Sequence, residues 1–244
     1  MGFEEGPLGL PMSAGSSRRG PLVHRAVHHG AALLLFAAVE FIVGMIVTQI
    51  GYPGYSLTRN YISDLGSTVC TPFGGTSTFP GHLACSPWHL VFNVSIGIMG
   101  LSLIAAAVLL RSGFPARRSR TIGLGLLVLA GIGSIGVGLS PENVNITVHS
   151  ISAFLAFLGG GLGLVVLGIA MFRDTRWDGF RTFTVVCGMV TLVALALFAS
   201  HSYFALGVGG MERLIVAPVL LWAIVVGTHL LRIPTYAPAL LRPS

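Results

Sequence analysis

Charged residues are scarce in this sequence of 244 residues, and lysine is missing altogether. Only 9% of the residues are charged, whereas soluble domains average about 25%. This is too little charge to hydrate a globular surface, which excludes a soluble enzyme, a disordered protein and a nucleic-acid-binding module. The three cysteines are too few for a disulfide scaffold, and no pair of them has zinc-ribbon spacing.

Long apolar segments are what the sequence does contain, since 53% of its residues are hydrophobic. A transmembrane helix needs about 20 consecutive, mostly apolar residues. Six segments meet this requirement, at 31–50, 88–110, 121–139, 148–172, 182–201 and 212–231. The alternating pattern of a membrane β-barrel is absent. We therefore predict an all-α, polytopic membrane protein with a bundle of six transmembrane helices.

The distribution of basic residues predicts the orientation of this bundle. All 14 basic residues are arginines, and 12 of them lie before span one, between spans two and three, between spans four and five, or after span six. Only Arg59 and Arg213 lie on the other side. The positive-inside rule then places both termini in the cytoplasm. We expect a plasma-membrane protein with a flexible N-terminal tail (1–29), a membrane domain (30–232) and a C-terminal tail (233–244).

The longest loop, 51–87, would face the outside of the cell. It contains Cys70 and Cys85, and disulfides persist in that environment. Closing a loop of this length would stabilise the protein by about 3 kcal/mol. We predict a Cys70–Cys85 disulfide, with two unpaired thiols as the alternative. Cys187, inside span five, is interpreted as a small core residue.

A set of polar and ionisable residues falls at the outer ends of the spans. Its members are Asp64, His89, Asn93, Glu142, His149, His201, Glu212 and Arg213. Ionisable groups at membrane depth usually face the bundle interior or a wet cavity. We predict that they line a polar chamber that opens outward, in which Asp64 and Arg213 form an ion pair. The alternative is that each residue only caps a helix end.

Two further features concern the interior of the membrane. Glu40 lies near the middle of span one, where we expect it to be protonated and hydrogen-bonded to Ser102, Ser134 or Thr191; a proton or cation relay is the alternative.

Glycines are frequent in spans three and four. Because small residues let helices approach closely in lipid, we expect these two spans at the centre of the bundle.

Three of the polar residues, His89, His149 and His201, raise the possibility of a metal site. Zinc accepts imidazole and carboxylate ligands. However, the sequence has no His-Glu-x-x-His or His-x-x-x-His pattern, and each histidine comes from a different helix. We predict no metal and no cofactor, and keep these histidines as the candidates if a metal is bound.

Several short motifs resemble a known family. The run Asn60-Tyr-Ile-Ser-Asp-Leu-Gly, Phe92-Asn93, Pro141-Glu142-Asn143 with His149, and Gly210-Met-Glu-Arg213 ahead of Trp222 occur in the order found in the bacterial membrane family called domain of unknown function 998. The resemblance covers roughly residues 30–232 and implies a six-helix integral membrane protein without an established activity. The Ile-Ser-Asp run is also similar to Ile-Ser-Asp-Thr-Gly of the eukaryotic Frag1/DRAM/Sfk1 membrane proteins, although Leu65 replaces the threonine.

The leading functional hypothesis is binding of a lipid headgroup or a small polar ligand in the outer chamber, without catalysis. In it, Asp64, Glu142, His149, His201 and Arg213 supply charge and hydrogen bonds, and Arg213 suits a phosphate or carboxylate. One alternative is an intramembrane hydrolase, with or without a metal, in which Asp64 or Glu142 is the base. Another is a structural or assembly subunit of a membrane complex. The expected partners are membrane lipids and a membrane protein of unknown identity, but not nucleic acid.

Overall fold

Six long helices form the protein. A computed structural model describes residues 19–73, 81–172 and 174–232. The helices are α1 Arg19–Ile50, α2 His89–Leu109, α3 Arg118–Leu139, α4 Ile146–Met171, α5 Phe180–Ala199 and α6 Gly207–Arg232. All six are long and apolar enough to cross a membrane. The prediction of an all-helical, six-span bundle is confirmed.

The first helix begins earlier than the sequence suggested. Residues 19–29, which we had assigned to a flexible tail, form the first turns of α1. Extending an existing helix costs little, and a proline such as Pro21 is tolerated in a first turn. Val27 packs against the core near Gly113, which gives these turns a tertiary partner. The rest of both predicted tails, 1–18 and 233–244, lies outside the described residues.

The helices form a ring in chain order. Each helix packs against the next one, and α6 closes the ring against α1. The glycines of α3 and α4 let these two helices approach closely: a Cβ added at Gly133 would lie 2.5 Å from the backbone oxygen of Ser152. Nevertheless, α3 and α4 are members of the ring, so the prediction that they lie at the centre of the bundle was wrong. The centre is a cavity.

The loop between α1 and α2 folds over one end of this ring, which we call the loop end. A short 3-10 helix, Ser63–Gly66, is buried there. A two-stranded antiparallel sheet follows, in which β1 (Thr71–Phe73) pairs with β2 (His82–Ala84). This sheet lies outside the six helices and adds to the predicted helical fold.

The sheet is fastened in two ways. A disulfide joins Cys70 to Cys85, the residues just before β1 and just after β2. The hydroxyl of Tyr52, which follows α1, donates to the carbonyl of Leu83 at 2.9 Å and accepts from the backbone N–H of Cys85 at 2.7 Å. These contacts hold the loop against the end of α1.

Glu40 does not have its predicted partners. It lies with Ser95 in a shallow groove between α1 and α2, on the outer surface of the ring. Ser134 donates to the carbonyl of Ala130 and Thr191 to that of Ile215, each at 3.0 Å. Within the described part of the chain, no hydrogen bond joins Glu40 to Ser102, Ser134 or Thr191. The helical pattern does not reveal the facing direction of Glu40, because α1 is apolar on all sides.

Candidate functional site

Residues 60–67 of the loop between α1 and α2 form a tight turn, which Asp64 stabilises. The Asp64 carboxylate accepts hydrogen bonds from the side-chain amide of Asn60 at 2.8 Å and from the backbone N–H of Tyr61 at 3.0 Å. A short acidic side chain that accepts from nearby backbone and side-chain donors is a common way to stabilise such a turn. Asp64 is fully buried by these contacts.

Two glutamates from other elements hold the same turn. Glu212, in the second turn of α6, accepts a hydrogen bond from the backbone N–H of Ile62. Glu142, in the connection between α3 and α4, accepts from the hydroxyl of Ser63 at 2.6 Å and from that of Ser67 at 3.1 Å. Three buried carboxyl groups therefore converge on one short segment.

The carboxyl groups of Asp64 and Glu142 also influence each other electrostatically. Burial raises the pKa of Glu142, and the neighbouring charge of Asp64 raises it further. Burial also raises the pKa of Asp64, but its bonds to Glu142 and Asn60 oppose that shift. These effects raise the pKa of Glu142 to about 8. The Nε2 atom of His82 lies 2.6 Å from Asp64, and burial lowers the pKa of this imidazole.

Asparagines attach the turn to the neighbouring helices. Asn93 of α2 donates to the carbonyl of Gly66 at 3.0 Å, and a Cβ at Gly66 would lie 2.5 Å from its Oδ1 atom. Asn143 makes two 3.0 Å hydrogen bonds with Thr68, accepting from its backbone N–H and donating to its hydroxyl. A larger residue at position 66 would therefore displace the side chain of Asn93.

His149, in the first turn of α4, contacts the residue that follows α3. Its Nδ1 atom lies 2.9 Å from the carbonyl oxygen of Ser140. A carbonyl can only accept, so Nδ1 carries the proton in the neutral ring and Nε2 is then an acceptor. The ring is buried and lines the interior of the bundle. This imidazole is therefore held in a defined orientation toward the cavity.

Arg213 does not form the predicted ion pair with Asp64. Its guanidinium group donates to the carbonyls of Leu57 at 3.0 Å, Asn60 at 3.3 Å and Gly209 at 2.8 Å, and to the hydroxyl of Tyr55 at 2.5 Å. It also lies 5.5 Å from the centre of the Tyr55 ring. The prediction was wrong because the planar donor fork matches the carbonyls of the loop, while Asp64 finds neutral donors in its own turn.

His89 and His201 lie apart from the three carboxyl groups. The Nδ1 atom of His89 lies 3.0 Å from the carbonyl oxygen of Ser86, at the start of α2. His201 is exposed after α5, with a positive φ of 59°. In the part of the chain that the structure describes, no group of three or more His, Cys, Asp or Glu residues could hold a metal ion. The predicted set thus separates into two groups. Asp64, Asn93, Glu142, His149 and Glu212 meet at the turn 60–67 or at the cavity beside it, whereas His89, His201 and Arg213 have other surroundings.

A cavity occupies the centre of the ring, directly below the turn. It has a volume of about 100 Å³, and its wall is almost entirely apolar along α1, α2, α3, α4 and α6. The polar groups at its loop end are Ser63, His149 and Glu212. The wall on α6 extends from Glu212 to Ala223, which is about 16 Å at the helical rise. The cavity is therefore a narrow apolar channel with a polar top.

A second cavity, of about 370 Å³, adjoins this polar top between α4 and α5. It shares Ser63, His149 and Glu212 with the central cavity and adds Glu142 and an aromatic wall. The aromatic residues are Tyr61, Phe154, Phe157 and Phe198. We call it the side cavity. Its position places it beside the central channel at the level of the carboxyl groups.

Several residues of this site were not predicted. Ser63 and Tyr61 stand beside Asp64 in the most distinctive motif of the sequence, so the motif itself was a signal for them. His82 carried no such signal, because only the pairing of β1 with β2 brings it to Asp64. The central cavity has no sequence signature, since its lining residues are ordinary apolar side chains.

Together, the fold and the site define an integral membrane protein whose six-helix ring encloses an apolar channel topped by buried carboxyl groups. Residues 31–229 match the family model described as "Protein of unknown function (DUF998)". The chain therefore belongs to this family, and the resemblance seen in the sequence motifs is confirmed. Neither a curated protein nor a solved structure matches the chain significantly.

Proposed function

We propose that this protein binds a membrane amphiphile, with the polar headgroup at the carboxyl cluster and the apolar chain in the central channel. The observation that carries the proposal is the position of Glu212 and His149, which close the top of a channel that is otherwise apolar. A ligand with a polar head and an apolar tail matches this division of the wall.

The size of the channel supports a single-chain ligand. Its depth of about 16 Å corresponds to roughly half of a hydrocarbon core of about 30 Å. An alkyl chain of one leaflet covers a similar depth, and the narrow bore leaves no room for a second chain beside it. The side cavity between α4 and α5 supplies a route along which such a ligand enters from the bilayer.

The arginine distribution supports an orientation for this site. The loop end carries Arg59 and Arg213, whereas the connections at the opposite end carry the other described arginines. By the positive-inside rule, the opposite end and both termini lie in the cytoplasm of a cell whose plasma membrane holds the protein. The carboxyl cluster is then at the level of the outer leaflet.

A channel-filling variant tests the proposal. A Cβ at Gly160 of α4 would make only an ordinary contact with Val219, at 3.4 Å, so a larger side chain would extend into the channel. We expect Gly160→Leu to fold but to lose the amphiphile that co-purifies with the wild-type protein, as measured by mass spectrometry of extracted lipids. Gly125→Leu, at an exposed position of α3 with open space around it, is the matched control.

An unchanged set of co-purified lipids in folded Gly160→Leu would contradict the proposal. It would favour a structural role for the cluster, because Asp64 and Glu142 use their hydrogen bonds to hold the turn 60–67. That role is the second candidate function.

A further inference from the structure

We infer that the headgroup bound at this site is a protonated primary amine. The inference rests on the proposed function, because it names the chemistry of the head of that same amphiphile. It follows from three properties of the polar top: its hydrogen-bond acceptors, its charge and its aromatic wall.

The polar top offers acceptors that the protein leaves unused. One oxygen of Glu212 accepts from Ile62, while the other has no hydrogen-bond donor among the described residues. In the neutral ring of His149, Nδ1 donates to Ser140 and Nε2 remains an acceptor. Both side chains are only 6% exposed, and both line the central and the side cavities. A ligand that fits these atoms must donate hydrogen bonds.

The charge of the site favours a cationic donor. No arginine of the described chain lines either cavity, and Arg213 directs its donors to the loop. A buried carboxylate without a cationic partner is costly. An ammonium group supplies that charge and three donors, whereas a phosphate or carboxylate would be repelled.

The aromatic wall of the side cavity supports the same choice. Tyr61, Phe154, Phe157 and Phe198 surround the approach to Glu212 and His149. Aromatic faces attract cations through their quadrupoles, and Tyr61 meets Phe198 edge to face with ring centres 6.0 Å apart. A cationic headgroup would be stabilised along the route by which it arrives.

The inference can be tested by calorimetric titration of the wild-type protein in a maltoside detergent. The four probes have the same dodecyl chain and differ in the headgroup: dodecylamine, dodecyltrimethylammonium, dodecanol and dodecyl phosphate. Heats measured with Gly160→Leu are subtracted to remove partitioning into the micelle. At neutral pH we expect dodecylamine to bind at least about tenfold more tightly than each of the other three, because only it combines the charge with three donors.

Glu212→Gln is the matched variant, because the glutamine oxygen still accepts from Ile62 while the charge is removed. We expect it to reduce the preference for dodecylamine over dodecanol to near parity. Glu40→Gln, which changes a carboxyl in the groove between α1 and α2, should retain the wild-type preference.

Equal or tighter binding of dodecanol or dodecyl phosphate by the wild-type protein would overturn the inference, and so would a full amine preference in folded Glu212→Gln. If Glu212→Gln does not fold, the comparison of dodecylamine with its trimethylated analogue in the wild-type protein decides, and equal affinities overturn the inference. Failure of the proposed function is a distinct result, in which no probe gives a heat that Gly160→Leu removes.

Discussion

The buried carboxyl group of Asp64 raises the pKa of Glu142, although Asp64 belongs to the first loop and Glu142 to the connection between α3 and α4. Ser63, the neighbour of Asp64, donates to Glu142 at 2.6 Å and strengthens this link. The loop is thus attached to the connection between α3 and α4 through a carboxyl group whose pKa is raised.

The stability of the protein should fall as the pH rises. The pKa of Glu142 is raised from 4.5 to about 8, first by burial and then by the charge of Asp64. Between these values the folded protein binds more protons than the unfolded chain, so the stabilisation is complete at low pH and is lost as the pH rises through about 8. Thermal unfolding in detergent across this range measures the loss.

Glu142→Gln should flatten this dependence, because the amide still accepts from Ser63 and does not titrate. Asp174→Asn is the control, since Asp174 pairs with exposed Arg176 away from the site. The thermal midpoint should therefore change less with pH in Glu142→Gln than in Asp174→Asn. A wild-type slope retained in Glu142→Gln would show that another group carries the dependence.

Gly133→Ala should destabilise the helix ring. A Cβ at this position would lie 2.5 Å from backbone atoms of both Ser152 and Ala156, so α3 and α4 would have to move apart. Overpacking of this kind costs about 1–3 kcal/mol. Gly125→Ala on the same helix meets open space, so thermal unfolding of the two variants should separate packing from helix propensity. Equal stability of the two variants would contradict the close approach of α3 and α4.

The disulfide should stabilise the loop end. Replacing Cys70 and Cys85 by serine removes a cross-link with a sequence separation of 15 residues, for which we expect a loss of about 3 kcal/mol. Addition of a reductant to the wild-type protein should lower its thermal midpoint in the same way. Cys187→Ala changes the buried free cysteine of α5 and should leave the response to reductant intact. A wild-type midpoint that is insensitive to reductant would count against the cross-link.

Arg213→Lys should lower the stability of the protein without changing its preference among amphiphiles. The ammonium of lysine cannot reproduce a planar fork that reaches three carbonyls and the hydroxyl of Tyr55. Leaving such acceptors unsatisfied costs about 1–3 kcal/mol, which thermal unfolding would detect. Arg59→Lys, at an exposed position of the loop that Arg213 contacts, should be close to neutral. A changed amine preference in Arg213→Lys would place Arg213 in the binding site and contradict the structure.

The polar residues show where prediction from sequence ended. The depth of Asp64, Glu142, His149 and Glu212 could be inferred, because helix length and order place each of them near the same end of the bundle. The directions in which these side chains face could not be inferred, because the helices are apolar on all sides and the hydrophobic pattern marks no inner face. His89 and Asn93 illustrate this: Asn93 binds the carbonyl of Gly66 in the turn, whereas His89 lies near the carbonyl of Ser86.

The amino-acid sequence by itself determined that this is a six-helix membrane protein and which residues lie near the loop end. The physical reason is that each segment in the low dielectric of a bilayer must satisfy its own backbone hydrogen bonds, independently of the others. Tertiary structure decided that the loop folds inward, that three carboxyl groups meet on one turn, that Arg213 binds the loop instead of Asp64, and that the ring surrounds a channel. These outcomes depend on the rotation of each helix about its axis and on contacts between residues far apart in the chain, neither of which is encoded in local hydrophobicity.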